Sequence, residues 1–185
     1  MVDKTDKQLV ENFLNGDESA FNILISRYQQ KIYWHARRMT GNHLDADEIV
    51  QEVLLVIFRK INEFKFESSL YTWIYKITST RSINYLNKKK LYKFFSIDDD
   101  VSYNEIGSSE DIEQNILSKE KLELLDKALA KLPIKQREVF VMRHTENMSY
   151  EEIAAITGKS VGGLKANYFH ALSKVMELMK GKLND

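Results

Sequence analysis

The stretch Ser149–Lys165, SYEEIAAITGKSVGGLK, predicts two helices joined by a tight turn. Ser149 followed three residues later by Glu152 forms a capping box, which marks the start of a helix. Gly158 favours the left-handed backbone that ends a helix, and Ser160 is a good cap for the next one. Two helices joined by about three residues around a glycine are typical of a helix-turn-helix. We therefore expect a helix-turn-helix in this part of the chain.

The second helix of this unit has an apolar stripe and an opposite face that suits DNA. We expect the stripe in the core; it contains Val161, Leu164, Tyr168, Leu172 and Val175. The other face carries Gly162, Gly163, Lys165, Ala166, Phe169, His170 and Lys174. Backbone amides at a helix start hold phosphates, and the first turns of a DNA-reading helix face base edges. The alternative interpretation is an ordinary helical hairpin with one exposed aromatic side chain, Phe169.

Helical patterning extends through most of the chain, which has one proline and seven glycines among 185 residues. The first helix is expected to start at the Thr5–Gln8 capping box and end at Gly16, and the second to run from Asp17 to Gly41. The third is expected to start at the Asp45–Glu48 capping box. The fourth is expected to run from Ser69 to about Lys90. A further helix from about Asp111 should bury Ile112, Ile116, Leu122, Leu125, Leu129 and Leu132. Pro133 should lie in the first turn of the helix after it. Small residues at Ala154, Gly158 and Ala171 should allow the helix-turn-helix to pack closely.

Charge separates the chain into two basic blocks and an acidic segment, although 27 basic and 27 acidic side chains balance overall. Residues 1–93 hold 15 basic and 11 acidic side chains, and residues 118–185 hold 12 and nine. Residues 94–110 lose the helical period, and Asp98–Asp100 repel one another. We therefore predict an all-α fold with two small helical domains, residues 1–93 and 111–185, joined by an acidic linker at 94–110.

The fourth predicted helix combines basic and aromatic side chains. Between Ser68 and Phe95 the chain has Lys76, Arg81, Lys88, Lys89, Lys90 and Lys93, the aromatic residues Tyr71, Trp73, Tyr75, Tyr85 and Tyr92, and no acidic residue. Such surfaces neutralise phosphates and stack unpaired bases. The buried side is expected to contain Leu70, Trp73, Ile74, Ile77 and Leu86. The alternative is a plain core helix with a solvated basic end at Lys88–Lys90.

Catalytic and metal-binding functions are poorly supported by the sequence. The acidic residues Asp45, Glu48 and Glu52, near Asp47 and His43, follow the spacing of an ordinary exposed helix face, whereas metal ligands usually come from several elements. There is no cysteine, and so no disulfide or thiolate site. We predict no catalytic residue, no metal and no cofactor. No apolar run reaches about 18 residues and the start MVDKTDKQL lacks a signal-peptide pattern, so we expect a cytoplasmic protein without membrane insertion.

Two sets of motifs together resemble the sigma-70 family of bacterial RNA polymerase sigma factors. DADEIVQEVLLVIF at residues 45–58 and LYTWIYKI at residues 70–77 look like sigma region 2. LPIKQREV at residues 132–139, together with the Ser149–Ala154 and Ser160–Lys165 stretches, looks like region 4. Because only these two regions and a linker are present, the chain is similar to the compact extracytoplasmic-function (ECF) class. The resemblance covers nearly the whole sequence.

The resemblance implies a sigma factor that binds core RNA polymerase and directs promoter-specific initiation, including melting of the minus-ten element. The positions that match the family's contact with the polymerase clamp, in the largest subunit, are Glu48, Gln51 and Glu52. Those that match minus-ten DNA contacts are Lys65, Phe66, Glu67, Ser68, Ser69, Trp73, Lys76, Arg81, Asn84 and Lys88. Those that match minus-thirty-five contacts are Ser160, Gly163, Lys165, Ala166, Phe169 and His170.

The resemblance also implies contact with the flap of the second-largest subunit, threading of the acidic linker towards the polymerase active centre, and a monomer when free. Anti-sigma partners are common in the class, although no residue here identifies one. Many members have Thr, Ser and two arginines where this chain has Gly163, Ala166, Asn167 and His170, which lowers the expected affinity for duplex DNA. The alternative function is a free-standing helix-turn-helix repressor or activator, with the first helices as its dimerisation or effector domain.

Overall fold

The computed structural model describes residues 4–95 and 114–183, with side chains described for 4–95 and 122–180. Helices account for most of these residues: α1 Asp6–Leu14, α2 Glu18–Thr40, α3 His43–Lys60, α4 Leu70–Phe95, α5 Gln114–Ala130, α6 Ile134–Phe140, α7 Tyr150–Thr157 and α8 Val161–Leu183. A 3₁₀ turn, Ile61–Glu63, follows α3, and a π-helical turn, Val141–Thr145, follows α6. No β-strand occurs within the described ranges, and the all-α prediction is confirmed. Residues 96–113, with most of the predicted linker and Ile112, lie outside the description, as does the side chain of Ile116.

Local capping signals set many of the helix ends. The capping boxes at Thr5 and Ser149 both form, and Asp17 caps α2. Gly41 and Gly158 end α2 and α7 in the left-handed conformation, with φ of 75° and 70°. These features were predicted from the sequence.

Three boundaries differ from the predictions. The Asp45 start for α3 is wrong, because Asn42 caps the helix and its side chain accepts the Asp45 amide at 3.0 Å. Pro133 is the N-cap of α6 and lies just before its first turn. The predicted end near Lys90 is also wrong, since α4 continues to Phe95. No glycine or proline interrupts residues 91–95, so nothing in the local sequence stops the helix there.

Helices α1–α4 form the first domain around one apolar core. The largest fully buried side chains in this core are Leu9, Leu24, Ile32, Ile49, Ile57, Ile61 and Ile74. The buried residues of α2 and α3, among them Leu24 and Ile32 of α2 and Ile49 and Ile57 of α3, lie on one face of each helix. Because these faces point inward, the opposite sides of α3 and α4 are left for solvent or partners.

Helices α5–α8 form the second domain, and two apolar clusters join it to the first. One cluster places Met39 of α2 among residues of α5, α6 and α8, including Leu129, Phe140 and Ala171. The other places Tyr75 of α4 beside residues of the helix-turn-helix. The prediction of a buried Leu122 is wrong, since 46% of this residue is exposed. The two domains are therefore packed directly on one another.

Replacing Gly158 with alanine should reduce the free energy of unfolding by about 1 kcal/mol, because an L side chain is strained at φ of 70°. The expectation that Gly158 serves close packing is wrong: no non-neighbouring heavy atom lies within 4 Å of an added Cβ. Gly162→Ala is the control, because Gly162 is helical with equally open space, and it should stabilise by about 0.5–1 kcal/mol. Urea denaturation measures both, and effects of equal sign would contradict this account.

Candidate polymerase and nucleic-acid surfaces

The exposed side of α3 presents a compact polar face. Glu48, Gln51 and Glu52 are all exposed and lie within one turn of each other, opposite the buried Ile49 and Val53. The Glu52 carboxylate lies 3.9 Å from the Arg81 guanidinium of α4, and both side chains are at least 40% exposed. An exposed pair at this distance contributes little to stability, so Glu52 remains available to a basic partner.

Asp45 has a structural role in tying α3 to α4. Its carboxylate accepts a hydrogen bond from the Tyr85 hydroxyl at 2.8 Å and pairs with Lys89 of the same helix. Burial and this hydrogen bond raise the pKa of Tyr85 above its ordinary value. His43 bonds to the Tyr33 hydroxyl and stacks on its ring. Within the described part of the chain, no three potential metal-ligating side chains come together.

The loop between α3 and α4 is exposed but held at both ends. Phe64 and Leu70 are buried, and Lys65, Phe66, Glu67, Ser68 and Ser69 between them are exposed. Ser69 caps α4, since its hydroxyl accepts the Thr72 amide at 3.1 Å. The rings of Phe64 and Phe66 lie 4.7 Å apart, and Phe64 lies 5.3 Å from Trp73. The five predicted minus-ten loop residues are therefore exposed next to one another, and the buried Phe64 ring and the Ser69 cap hold the two ends of the loop.

Phe66 also has an unusual backbone, with φ of 57°. Left-handed backbone is rare for a bulky residue and is commonly found where function imposes strain. Sequence analysis selected Phe66 through the family resemblance, but it gave no sign of this conformation, and it overlooked Phe64 as the ring that supports the loop. A left-handed backbone at residue 66 could have been predicted only if that residue were a glycine or an asparagine.

Along α4 the structure separates the predicted minus-ten residues by exposure. Lys76, Asn84 and Lys88 are exposed, and Trp73 and Arg81 are half-buried. Tyr75, one of the aromatic residues of the predicted base-stacking surface, is only 2% exposed and cannot receive a base in this arrangement. Tyr75 lies on the face of α4 that packs against the second domain, together with Thr78, Ser79 and Ser82. The helical period alone does not reveal this second contact face.

Helix α8 presents its predicted DNA-reading residues outward. Ser160, Gly163, Lys165, Ala166, Phe169 and His170 are all exposed, and Phe169 has 66% of its surface accessible. The Ser160 hydroxyl accepts the Gly163 amide at 3.3 Å, which caps the helix. The Lys165 ammonium lies 5.7 Å from the centre of the Tyr150 ring of α7, a cation–π contact that orients it. Of the predicted core stripe, Leu164 and Val175 are buried, whereas Val161, Tyr168 and Leu172 are only partly buried.

Asn167 is turned back onto its own helix. Its side-chain amide donates to the Gly163 carbonyl at 2.8 Å. A Cβ added at Gly163 would lie 3.2 Å from the Ser160 hydroxyl, which is tighter than ordinary contact. The bare glycine therefore fits closely against the Ser160 cap, and its own amide and carbonyl are both hydrogen-bonded within the helix start.

These features define a two-domain helical protein with an acidic helix face, a basic aromatic helix and an exposed helix-turn-helix. Residues 24–92 match the family Sigma-70 region 2, and residues 122–175 match Sigma-70, region 4. The chain is 32% identical over 173 residues to the ECF RNA polymerase sigma-E factor of Haemophilus influenzae, covering 90% of this chain and 91% of that one. It has the same identity to the sigma-E factor of Escherichia coli, with 90% of each chain covered.

Two solved structures share this fold. One is CnrH in complex with the cytosolic domain of CnrY, with a TM-score of 0.71, 20% identity and coverage of 97% of this chain and 99% of that one. The other is the sigma factor RpoE in complex with the anti-sigma factor NepR from Bartonella quintana, with a TM-score of 0.66, 22% identity and coverage of 88% and 98%. The chain belongs to the ECF class of the sigma-70 family. It is a sigma factor that binds core RNA polymerase and directs transcription initiation at promoters.

Proposed function

We propose that three exposed surfaces of this sigma factor divide the work of initiation. The α3 face of Glu48, Gln51 and Glu52 binds the polymerase clamp, as a complement to a basic partner. The loop at residues 65–69 and the exposed side of α4 hold the melted minus-ten strand. Helix α8 reads the minus-thirty-five duplex. The observation that supports this most strongly is that all three surfaces are exposed at once on one described chain.

On the minus-ten side, the proposed role is to capture unstacked bases. Phe66 and Trp73 offer aromatic surface, and base stacking on aromatic rings contributes about 1–3 kcal/mol per base. Lys76 and Lys88 lie on the exposed side of the same helix, where they neutralise the phosphates of that strand. Extruding a base costs a few kcal/mol, so contacts that offset this cost only for the right sequence make melting selective.

On the minus-thirty-five side, the first turns of α8 enter the major groove. The amides of Val161 and Gly162 at the start of α8 hold phosphate, Lys165 contacts DNA, and the exposed Phe169 ring packs against thymine methyl groups. The remaining assignments are part of the same proposal. The domains span residues 1–93 and 111–185, the linker is directed to the polymerase active centre, and region 4 contacts the flap. The protein has no catalytic activity of its own.

The proposed location is the cytoplasm, where RNA polymerase works. No helix among the described residues is long and apolar enough to cross a membrane. An anti-sigma partner is also proposed, because NepR is the anti-sigma factor bound to a solved relative of the same fold.

Lys165→Ala should reduce promoter use by about five- to 100-fold, because a lost base or phosphate contact costs about 1–3 kcal/mol. The slope of the logarithm of promoter affinity against the logarithm of salt concentration should also become shallower by about one, because one fewer counterion is released on binding. Affinity for core polymerase should be unchanged. Lys174→Ala is the control, because Lys174 lies further along α8 and already pairs with Glu177 at 3.1 Å. Run-off transcription and polymerase pull-down measure the two properties, and equal activity of both variants would contradict the assignment.

A footprinting experiment separates these assignments from the repressor alternative. A free-standing repressor protects its duplex site alone, typically at about 10⁻⁸ M or tighter. We expect this protein to give weak protection alone and a clear footprint over both promoter elements once core polymerase is added. Tight protection by the free protein, unchanged by polymerase, would favour the repressor.

A further inference from the structure

The C-terminal end of α4 projects from the packed part of the first domain. The last buried residue of this helix is Ser82, and every residue from 87 to 95 is exposed. At a rise of about 1.5 Å per residue, the exposed end is roughly 13 Å long. The Asp45 carboxylate of α3 pairs with Lys89 and anchors the base of this end. We call residues 87–95 the projecting end of α4.

Large apolar side chains cover one side of the projecting end. Leu91, Tyr92, Phe94 and Phe95 are 58%, 62%, 80% and 72% exposed. Phe94 and Phe95 lie three and four positions after Leu91, so these three side chains are neighbours on one helix surface. The Phe94 and Phe95 rings meet edge to face, with their centres 5.5 Å apart. Contiguous exposed apolar patches mark interaction sites.

The same end of the helix is strongly basic. It carries Lys88, Lys89, Lys90 and Lys93 and no acidic residue. The Lys88 ammonium lies 5.8 Å from the centre of the Tyr92 ring, so a cation is held beside the aromatic surface. Lysine stems can lie along apolar surface while their ammonium groups stay in water. Lysines next to exposed phenylalanine and leucine are typical of a helix that lies on an anionic bilayer.

We propose that the projecting end of α4 docks on the surface of an anionic lipid bilayer. Leu91, Phe94 and Phe95 enter the boundary between headgroups and acyl chains, and the lysines bind the anionic headgroups. The contact is peripheral, since no helix of the described chain is long and apolar enough to cross a membrane. None of these three apolar residues is among the named contacts with polymerase or promoter, so the inference goes beyond the proposed function.

A bilayer fits this surface better than a protein groove or a nucleic-acid strand. Lysine is depleted in protein interfaces, whereas the projecting end carries four lysines around its apolar patch. Proteins that bind single strands stack bases on open aromatic faces. Here Leu91 has no ring, and the Phe94 and Phe95 rings lie edge to face against each other. A bilayer requires only apolar surface with cations beside it, and both are present.

The test is co-sedimentation of the full chain with lipid vesicles. We expect binding to vesicles of phosphatidylglycerol and phosphatidylcholine in equal amounts, weaker binding at high salt, and little binding to phosphatidylcholine alone. Phe94→Ser should weaken binding about tenfold, because one apolar side chain no longer enters the bilayer. Lys90→Gln should weaken it about fivefold, which is the effect of one basic residue near an anionic surface. Phe169→Ser is the matched control, because Phe169 is also mostly exposed but lies on α8, and it should bind like the parent.

The proposal fails if the parent does not bind the anionic vesicles at low salt, or if Phe94→Ser and Phe169→Ser weaken binding equally. Equal binding to anionic and neutral vesicles would also contradict it, because the lysines would then contribute nothing. Single-stranded oligothymidylate is the alternative ligand in a parallel binding assay. If Phe94→Ser weakens oligothymidylate binding about tenfold and leaves vesicle binding unchanged, the projecting end is a nucleic-acid surface and the bilayer proposal is overturned.

Discussion

Gln51→Ala combined with Glu52→Ala should weaken binding to core RNA polymerase by about 30-fold or more. Truncating one anchor residue of an interface typically costs 2 kcal/mol or more, which is about 30-fold, and the costs of neighbouring anchors do not simply add. The acidic face of α3 offers a basic partner a compact set of acceptors. The fold should tolerate the change. Both side chains are exposed, and the described contact of Glu52 with Arg81 is a long, exposed one at 3.9 Å.

The matched control is Glu18→Ala with Asn22→Ala, which removes one acid and one amide from exposed positions of α2. Fluorescence anisotropy with labelled protein gives both affinities, and thermal unfolding reports the stability of each variant. We expect a loss of affinity only for the α3 variant, with unfolding temperatures close to the parent. Equal affinities for the two variants would show that polymerase binds elsewhere.

Phe140→Ala should lower the free energy of unfolding by about 3–5 kcal/mol, which is a large part of the 5–15 kcal/mol typical of a folded domain. Phe140 is 1% exposed, and its ring lies 4.8 Å from His144 and 6.0 Å from Tyr168. It also belongs to the apolar cluster that includes Met39 of the first domain. The cavity left by the ring would therefore loosen the second domain and its contact with the first.

Phe169→Ala provides the comparison for Phe140→Ala because it truncates the same side chain at a mostly exposed position of α8. We expect it to change stability by less than about 0.5 kcal/mol and to reduce use of the minus-thirty-five element. Guanidinium denaturation gives the two stabilities. Similar losses of stability would contradict the burial described for Phe140 or the exposure described for Phe169.

The features that sequence analysis predicted correctly are mainly local ones. Capping boxes at Thr5 and Ser149 and left-handed glycines at Gly41 and Gly158 depend on residues within a few positions, and each forms as expected. Asn42 was missed because it and Asp45 are both good caps three positions apart. In the structure Asn42 is the cap, and Asp45 lies in the first turn of the helix.

The contacts between the domains could not be predicted in the same way. His35 and Glu146 are 111 positions apart, and Ser79 and Glu138 are 59 apart, so no periodicity connects them. For this reason Tyr75 looked like part of an aromatic DNA-binding face although it is buried. The α4 and α8 surfaces were predicted from charge, aromatic content and helical spacing, whereas the α3 face and the loop at residues 65–69 were assigned through the family motifs. Burial, backbone conformation at Phe66 and the closeness of the domains follow only from the three-dimensional packing.

The most direct test of the central claim is transcription in vitro with purified core polymerase of the source organism, fragmented genomic DNA, and this protein present or absent. We predict discrete new transcripts that require both the protein and the polymerase, with starts that share a minus-ten and a minus-thirty-five sequence element upstream. Absence of new transcripts, together with absence of a stable complex between the protein and that polymerase, would contradict the account.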